Sequence, residues 1–194
     1  SGNFKKRFYP LSPTMLDFLW NRLHMFSIEN FIGNVDIFHS SDWAQPPTRK
    51  AKKVTTIHDL VPLLYPESSH PKIVAAHKRR FKWIKKEVDR VIAVSESTKK
   101  DIIENLEISP AKISVIYEAA SPSVKKVGDR QVGETRKKYE LPKEYFLAVG
   151  ADPRKNIERI TKALKSYKNI PLVVVGRKWD GMHLAEWDPA TRDN

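Results

Sequence analysis

Four apolar runs, each closed by a polar residue able to do chemistry, constrain this chain more than any other feature. They read Asp36-Ile37-Phe38-His39, Val54-Thr55-Thr56-Ile57-His58-Asp59, Val91-Ile92-Ala93-Val94-Ser95 and Ile113-Ser114-Val115-Ile116-Tyr117-Glu118. The last three are short, rich in β-branched residues and separated by helical or loop stretches, the pattern of βαβ units and a parallel sheet. In an open parallel sheet every strand ends on the same edge, and ligands bind in the crevice along it. Segments distant in sequence would then bring His39, His58, Ser95 and Glu118 to one cleft.

The 194 residues suffice for one large or two small domains, and a 40% hydrophobic share supports a packed core and argues against global disorder. There is no cysteine, so a disulfide framework and a thiolate metal site are excluded, as suits a reducing compartment. No run approaches the roughly 18 apolar residues of a membrane span. The opening Ser1-Gly2-Asn3-Phe4-Lys5-Lys6 has neither a signal-peptide core nor an initiator Met, as expected of a fragment or a cleaved product. The formal charge of +12 favours anionic partners: nucleic acid, anionic lipid or phosphorylated small molecules.

Along the chain, Ser12-Pro13 caps a helix carrying Met15, Leu16, Phe18, Leu19, Leu23 and Met25. A strand ends at His39, a polar loop spans 40–53, and a second strand ends at His58. His70-Pro71 opens a long basic helix over 70–89, whose Ile73, His77, Phe81, Ile84 and Val88 recur at helical spacing. That stripe reads as core, and the Lys and Arg faces as solvated. A surface for anionic lipid, helped by Trp83 off the stripe, is the sharper alternative. Strand 90–94 leads to a helix capped by Ser95 or Ser97, and strand 113–117 follows. Residues 121–143 are polar, carry Pro122, Gly128, Gly133 and Pro142, and read as a linker with a short helix near 130–139. The pattern then restarts: strand 145–150, helix 157–167, strand 171–176. The organisation expected is an α/β first domain over 1–120, the linker, and the start of a second domain over 144–194.

The sharpest local signal is Val149-Gly150-Ala151-Asp152-Pro153-Arg154-Lys155-Asn156, between a strand and a helix. A helix N-terminus exposes N–H groups and partial positive charge, so Arg154 and Lys155 there oppose the macrodipole unless an anion binds. With an anion, the N–H groups, the Arg fork and the Lys ammonium all contribute, and Gly150 lets backbone approach closely. The alternative is a solvated loop capped by Asp152 or Asn156. His58-Asp59 is the second signal. A strand-end His can donate to a sugar hydroxyl or act as acid or base; it can equally bond backbone while Asp59 caps a turn. No pair among His39, His58, His70 and His77 has helical metal-ligand spacing backed by a carboxylate. His-Glu-x-x-His, Gly-x-Gly-x-x-Gly, Walker loops and zinc-finger spacings are absent, so no specific nucleic-acid module is indicated.

Taken in order, Thr55 to Glu67, Arg90 to Asp101, Lys112 to Glu118 and Val149 to Asn156 resemble the group 1 (family 4) glycosyltransferases, with a mannosyltransferase-like branch nearest. The resemblance implies a GT-B architecture of two Rossmann-like domains. The first takes a glycan or lipid-linked acceptor and the second a nucleotide-diphosphate sugar. It implies transfer with retention, no cofactor and no obligatory metal, in the cytoplasm or peripherally at the inner face of the membrane. By position, His58 matches the catalytic strand-end His beside the transferred sugar. Ser95 and Glu96 match a segment at the cleft edge, and Gly150, Arg154 and Lys155 match the donor-diphosphate region. His39, Asp59 and Glu118 complete the expected cleft lining. The family's Arg directly after the strand-end Gly is Ala151 here. The family's Gly-rich N-terminal loop and its later Glu-x7-Glu motif are missing, so the chain reads as a truncated form, inactive alone. Glu96 and Glu104 share that spacing but precede the linker and read as surface carboxylates. A non-catalytic module that binds anionic lipid, a partner chain or a second copy is the alternative.

Overall fold

The computed structural model describes residues 5–150, 155–165, 167 and 170–176. The chain divides into two compact units, Ser1–Ala120 and Ser121–Asn194.

The first unit is built on a four-stranded parallel sheet, with β1 (Ile37–Ser40), β2 (Lys52–Ile57), β3 (Arg90–Ala93) and β4 (Ile113–Val115) in sequence order. Parallel neighbours require a long crossover. Between β2 and β3 it is made by α3 (Val61–Leu64), a 3-10 turn at Pro66–Ser68 and α4 (Pro71–Glu87). Between β3 and β4 it is α5 (Glu96–Leu106). The β4 strand is shorter than the expected 113–117, but its pairing continues one step as Ile116 N–H donates to Ala93 O.

Register decides which side chains share a face. His39 lies opposite Val54, Thr56 opposite Ile92 and Ile92 opposite Ser114. Because side chains alternate along a strand, His39, Val54, Thr56 and Ile92 lie on one face. Thr55, Ile57, Val91, Ala93 and Ile113 lie on the other and are all buried. There they meet Leu60, Phe81, Ile84, Val88, Ile102, Leu106 and Ile108 in one core. Each fully buried Ile or Leu contributes about 1.5–3 kcal/mol relative to exposure. The His39 face stays half-exposed.

The N-terminal segment forms α1 (Pro13–Leu16), where Ser12 Oγ accepts from Met15 N–H, and runs on as a π-helical turn over Asp17–Arg22. With α2 (Glu29–Ile32) it makes a second cluster of Trp20, Ile28, Ala44, Leu16, Leu19, Phe31 and Phe38. Met15, Phe18, Leu23 and Met25 of this segment remain exposed. The π-helical turn widens the repeat and shifts the phase of the apolar stripe.

The long helix α4 begins as expected: Pro71 is its first residue, and His70 Nδ1 accepts from Lys72 N–H. The solvated reading of its cationic faces fails at one position, because Arg80 is buried with His77. Trp83 does not point free. Its ring stacks on His24 at 3.6 Å between centroids, and its Nε1–H donates to Asn21 O at 2.7 Å.

The second unit holds α6 (Asp129–Lys138), β5 (Phe146–Val149), α7 (Ile157–Leu164) and β6 (Leu172–Val175), with β5 and β6 parallel. Ile157 is buried, whereas Leu147, Val149 and Val175 stay exposed. The crossover helix α7 alone cannot cover both faces of a parallel sheet.

Candidate functional site

The carboxyl ends of the strands open on a cleft of about 430 Å³ lined by His39, Asp42, Thr56, His58, Ile92, Val94, Ile116, Tyr117 and Glu118 among others. His58 follows the last residue of β2. Its Nδ1 is 3.5 Å from Asp42 Oδ2 and its Nε2 is 3.2 Å from Glu118 Oε1. The imidazole is 45% exposed, so it is held between two carboxylates while still open to a ligand. The main chain of His58 is fixed from below, where Thr98 Oγ1 donates to its carbonyl at 3.1 Å.

Three of the expected cleft residues, His39, His58 and Glu118, meet there. His39 Nε2 lies 2.9 Å from Thr56 Oγ1. Asp59, Ser95 and Glu96 do not line the cleft. Asp59 Oδ1 accepts from Val61 N–H at the start of α3. Ser95 Oγ accepts from Thr98 N–H at 3.0 Å and so caps α5, while Glu96 is exposed in its first turn. Ser95 therefore acts on the cleft indirectly, through the Thr98 that holds His58.

The sequence reading missed Asp42 and Arg80. Asp42 sits in the polar loop after β1. Arg80 has a side chain 1% exposed, and its Nη1 is 3.0 Å from Asp42 Oδ1. Its Nη2 donates to Thr55 Oγ1 at 2.9 Å and to Thr56 O at 3.0 Å. Ser40 Oγ extends the network, 2.8 Å from Thr55 Oγ1 and 2.7 Å from Gln45 Oε1. Burial pushes the Arg80 guanidinium down to about 10 while Asp42 pulls it back up, leaving a cation at neutral pH. Burial and then Arg80 depress His77, against weaker opposing pulls from Asp42 and Asp59, which favours an uncharged imidazole in the core. A signal for Arg80 existed: it is three residues after His77 and four before Ile84, in phase with the core stripe.

A profile of Glycosyltransferase Family 4 matches residues 2–123. The chain belongs to glycosyltransferase family 4. Over 134 residues, 68% of its length, the family 4 chain is 33% identical to the O-antigen chain mannosyltransferase RfbU of Salmonella typhimurium strain LT2, of which the match covers 34%. It is 28% identical over 117 residues to the serotype-specific mannosyltransferase WbdA of Escherichia coli, covering 58% of this chain and 14% of WbdA. A glycosyltransferase structure from Rickettsia africae ESF-5 aligns with 91% of this chain and 55% of its own, at 18% identity and a TM-score of 0.47. The family 4 chain thus spans a minor part of both mannosyltransferases.

Gly150 and Lys155 lie in the second unit. Gly150 follows β5 with φ +84°, and a Cβ built on it would meet Lys155 Cε at 3.4 Å. The Lys155 side chain therefore lies over the bare glycine, two residues before α7 begins. Arg154 lies outside the described residues. Among the described residues, no helix is long and apolar enough to cross a membrane.

Proposed function

We propose that this chain belongs to a GT-B, mannosyltransferase-like enzyme that moves a sugar from a nucleotide-diphosphate donor to a glycan or lipid-linked acceptor with retention. The observation that carries the reading is His58, set at a strand end between Asp42 and Glu118 in an open cleft within the stretch that matches the family. In this reading the first unit receives the acceptor, and His58 meets the transferred sugar. Gly150, Arg154 and Lys155 of the second unit meet the donor diphosphate. As the diphosphate leaves, the anomeric carbon gains positive charge. The cations and the N–H groups opening α7 stabilise the departing phosphate, with no obligatory metal. The protein works in the cytoplasm, at the inner face of the membrane where lipid-linked acceptors are presented.

Calorimetry with a panel of nucleotide-diphosphate sugars tests the donor part. One or more should bind, and Lys155→Ala should weaken binding about tenfold, the worth of one charge-assisted contact. A panel that fails to bind at millimolar concentration, or binding indifferent to Lys155→Ala, overturns that part. Donor-dependent sugar transfer, abolished by His58→Ala, tests the rest.

A further inference from the structure

Arg80 is buried in the core, yet one arm of its fork reaches a residue in the cleft. Its Nη2 is occupied by Thr55 Oγ1 and Thr56 O, which fix the guanidinium to β2 itself. Its Nη1 is then aimed at Asp42 Oδ1. The carboxylate has two oxygens. With Oδ1 held by a buried cation, Oδ2 is turned to His58 Nδ1. Glu118 faces the other ring nitrogen and stands closer, at 3.2 Å against 3.5 Å, but it is 65% exposed, against 36% for Asp42. An exposed carboxylate on a strand-end segment is the softer anchor, because solvent screens it and its side chain keeps its rotamer freedom.

We infer that Arg80 is a positioning residue: through Asp42 it holds His58 in the tautomer with the proton on Nδ1, leaving the Nε2 lone pair directed into the cleft. This deepens the reading of His58 as the residue that meets the sugar, and rests on it only for its purpose. The orientation of the ring can be measured with no sugar present. A neutral imidazole has one N–H, and the partner of one nitrogen decides what the other can do. With Nδ1–H turned to Asp42, Nε2 is an acceptor that repels the Glu118 carboxylate 3.2 Å away and suits a hydroxyl that displaces it. Two carboxylates facing one ring would otherwise leave the tautomer divided. The buried fork breaks that tie at the Asp42 side. The groups facing the imidazole are Asp42, from the loop after β1, and Glu118, from the segment after β4. Arg80 acts behind Asp42.

The test is long-range nitrogen–proton NMR on the chain as it stands, with the imidazole neutral. His58 should show the Nδ1–H form as the majority. Asp42→Asn keeps an oxygen for Arg80 but turns an amide N–H towards Nδ1, so the majority should invert to Nε2–H. Arg80→Lys keeps the charge but loses the fork, and should mix the two forms. Glu118→Gln should leave the Nδ1–H majority in place. Should Arg80→Lys unfold, Asp42→Asn decides alone, since Asp42 lies outside the core. A wild-type majority of Nε2–H, or a tautomer moved by Glu118→Gln but unmoved by Asp42→Asn, overturns the inference. If Arg80 served only to pin β2, its substitution would lower stability and leave the ring nitrogens unchanged. Failure of sugar transfer with the tautomers as expected would count against the proposed function and not against this array.

Discussion

Asp42 and Arg80 meet at 3.0 Å across the boundary between cleft and core, one side chain 36% exposed and the other 1%. A pair with one fully desolvated member is costly to break, because the charge left behind has no water to turn to. It is much less costly to replace as a unit.

Arg80→Met should lower the stability of the first unit by about 2 kcal/mol, chiefly because Thr55 Oγ1 and Thr56 O lose their buried donor, while Asp42, part exposed, turns to water. Asp42→Asn leaves the buried cation without its counter-charge, eased by an oxygen that still accepts from Nη1, and should cost about 2 kcal/mol as well. The double variant should fall short of the sum of the two. Urea midpoints at an unchanged slope measure all three. Strict additivity would show that the pair is not coupled.

Acid should strip one specific lock. Burial pushes the Glu29 carboxyl up, but the N–H groups of Arg49, Lys50 and Ala51 converge on its Oε1 and, with its own N–H, take it down from 4.5 to about 2. A carboxylate depressed on folding stabilises fully above its unfolded value and loses that contribution as pH falls through its folded value. The stability gap between wild type and Glu29→Gln should stand at about 3 kcal/mol at neutral pH and close between pH 4.5 and about 2. A gap that stays constant over that window would contradict the arrangement.

The cap of α5 also supports the cleft. Ser95→Ala should cost about 1 kcal/mol from the lost cap. Its second effect is positional. Thr98, freed from Ser95 Oγ, holds the His58 carbonyl less firmly, so amide exchange should quicken at the end of β2 as well as in the first turn of α5. Exchange altered in α5 alone would separate the two.

Gly150→Ala should destabilise the second unit by about 1 kcal/mol, since φ +84° is strained for any residue with a Cβ. The new methyl would also fill the space beneath Lys155, in van der Waals contact with its Cε at 3.4 Å. Thermal unfolding measures the first effect. Donor calorimetry should show a loss of affinity beyond what the stability change explains.

Much of this protein was legible from local pattern. Period-two and helical-period runs placed β2, β3, α4 and α5 closely, since those signals need only neighbours in sequence. His39, His58 and Glu118 line one cleft because parallel strands must finish on one edge. For Ser95 and Asp59 the sequence left two roles open, since a polar residue after a strand can face a cleft or cap the next turn, and both side chains cap.

The sequence by itself determined the alternation of strand and helix, the rim on which polar residues gather and the family motifs. All of these are written in spacing along the chain. Only the tertiary structure decided that Arg80, one cation among many on a basic helix, is buried, and that Asp42, from a loop without periodicity, stands between it and His58. Residues 42, 58, 80 and 118 come together through strand register and helix packing. The strength of a buried charge depends on what surrounds it, so no local pattern could have assigned that relay.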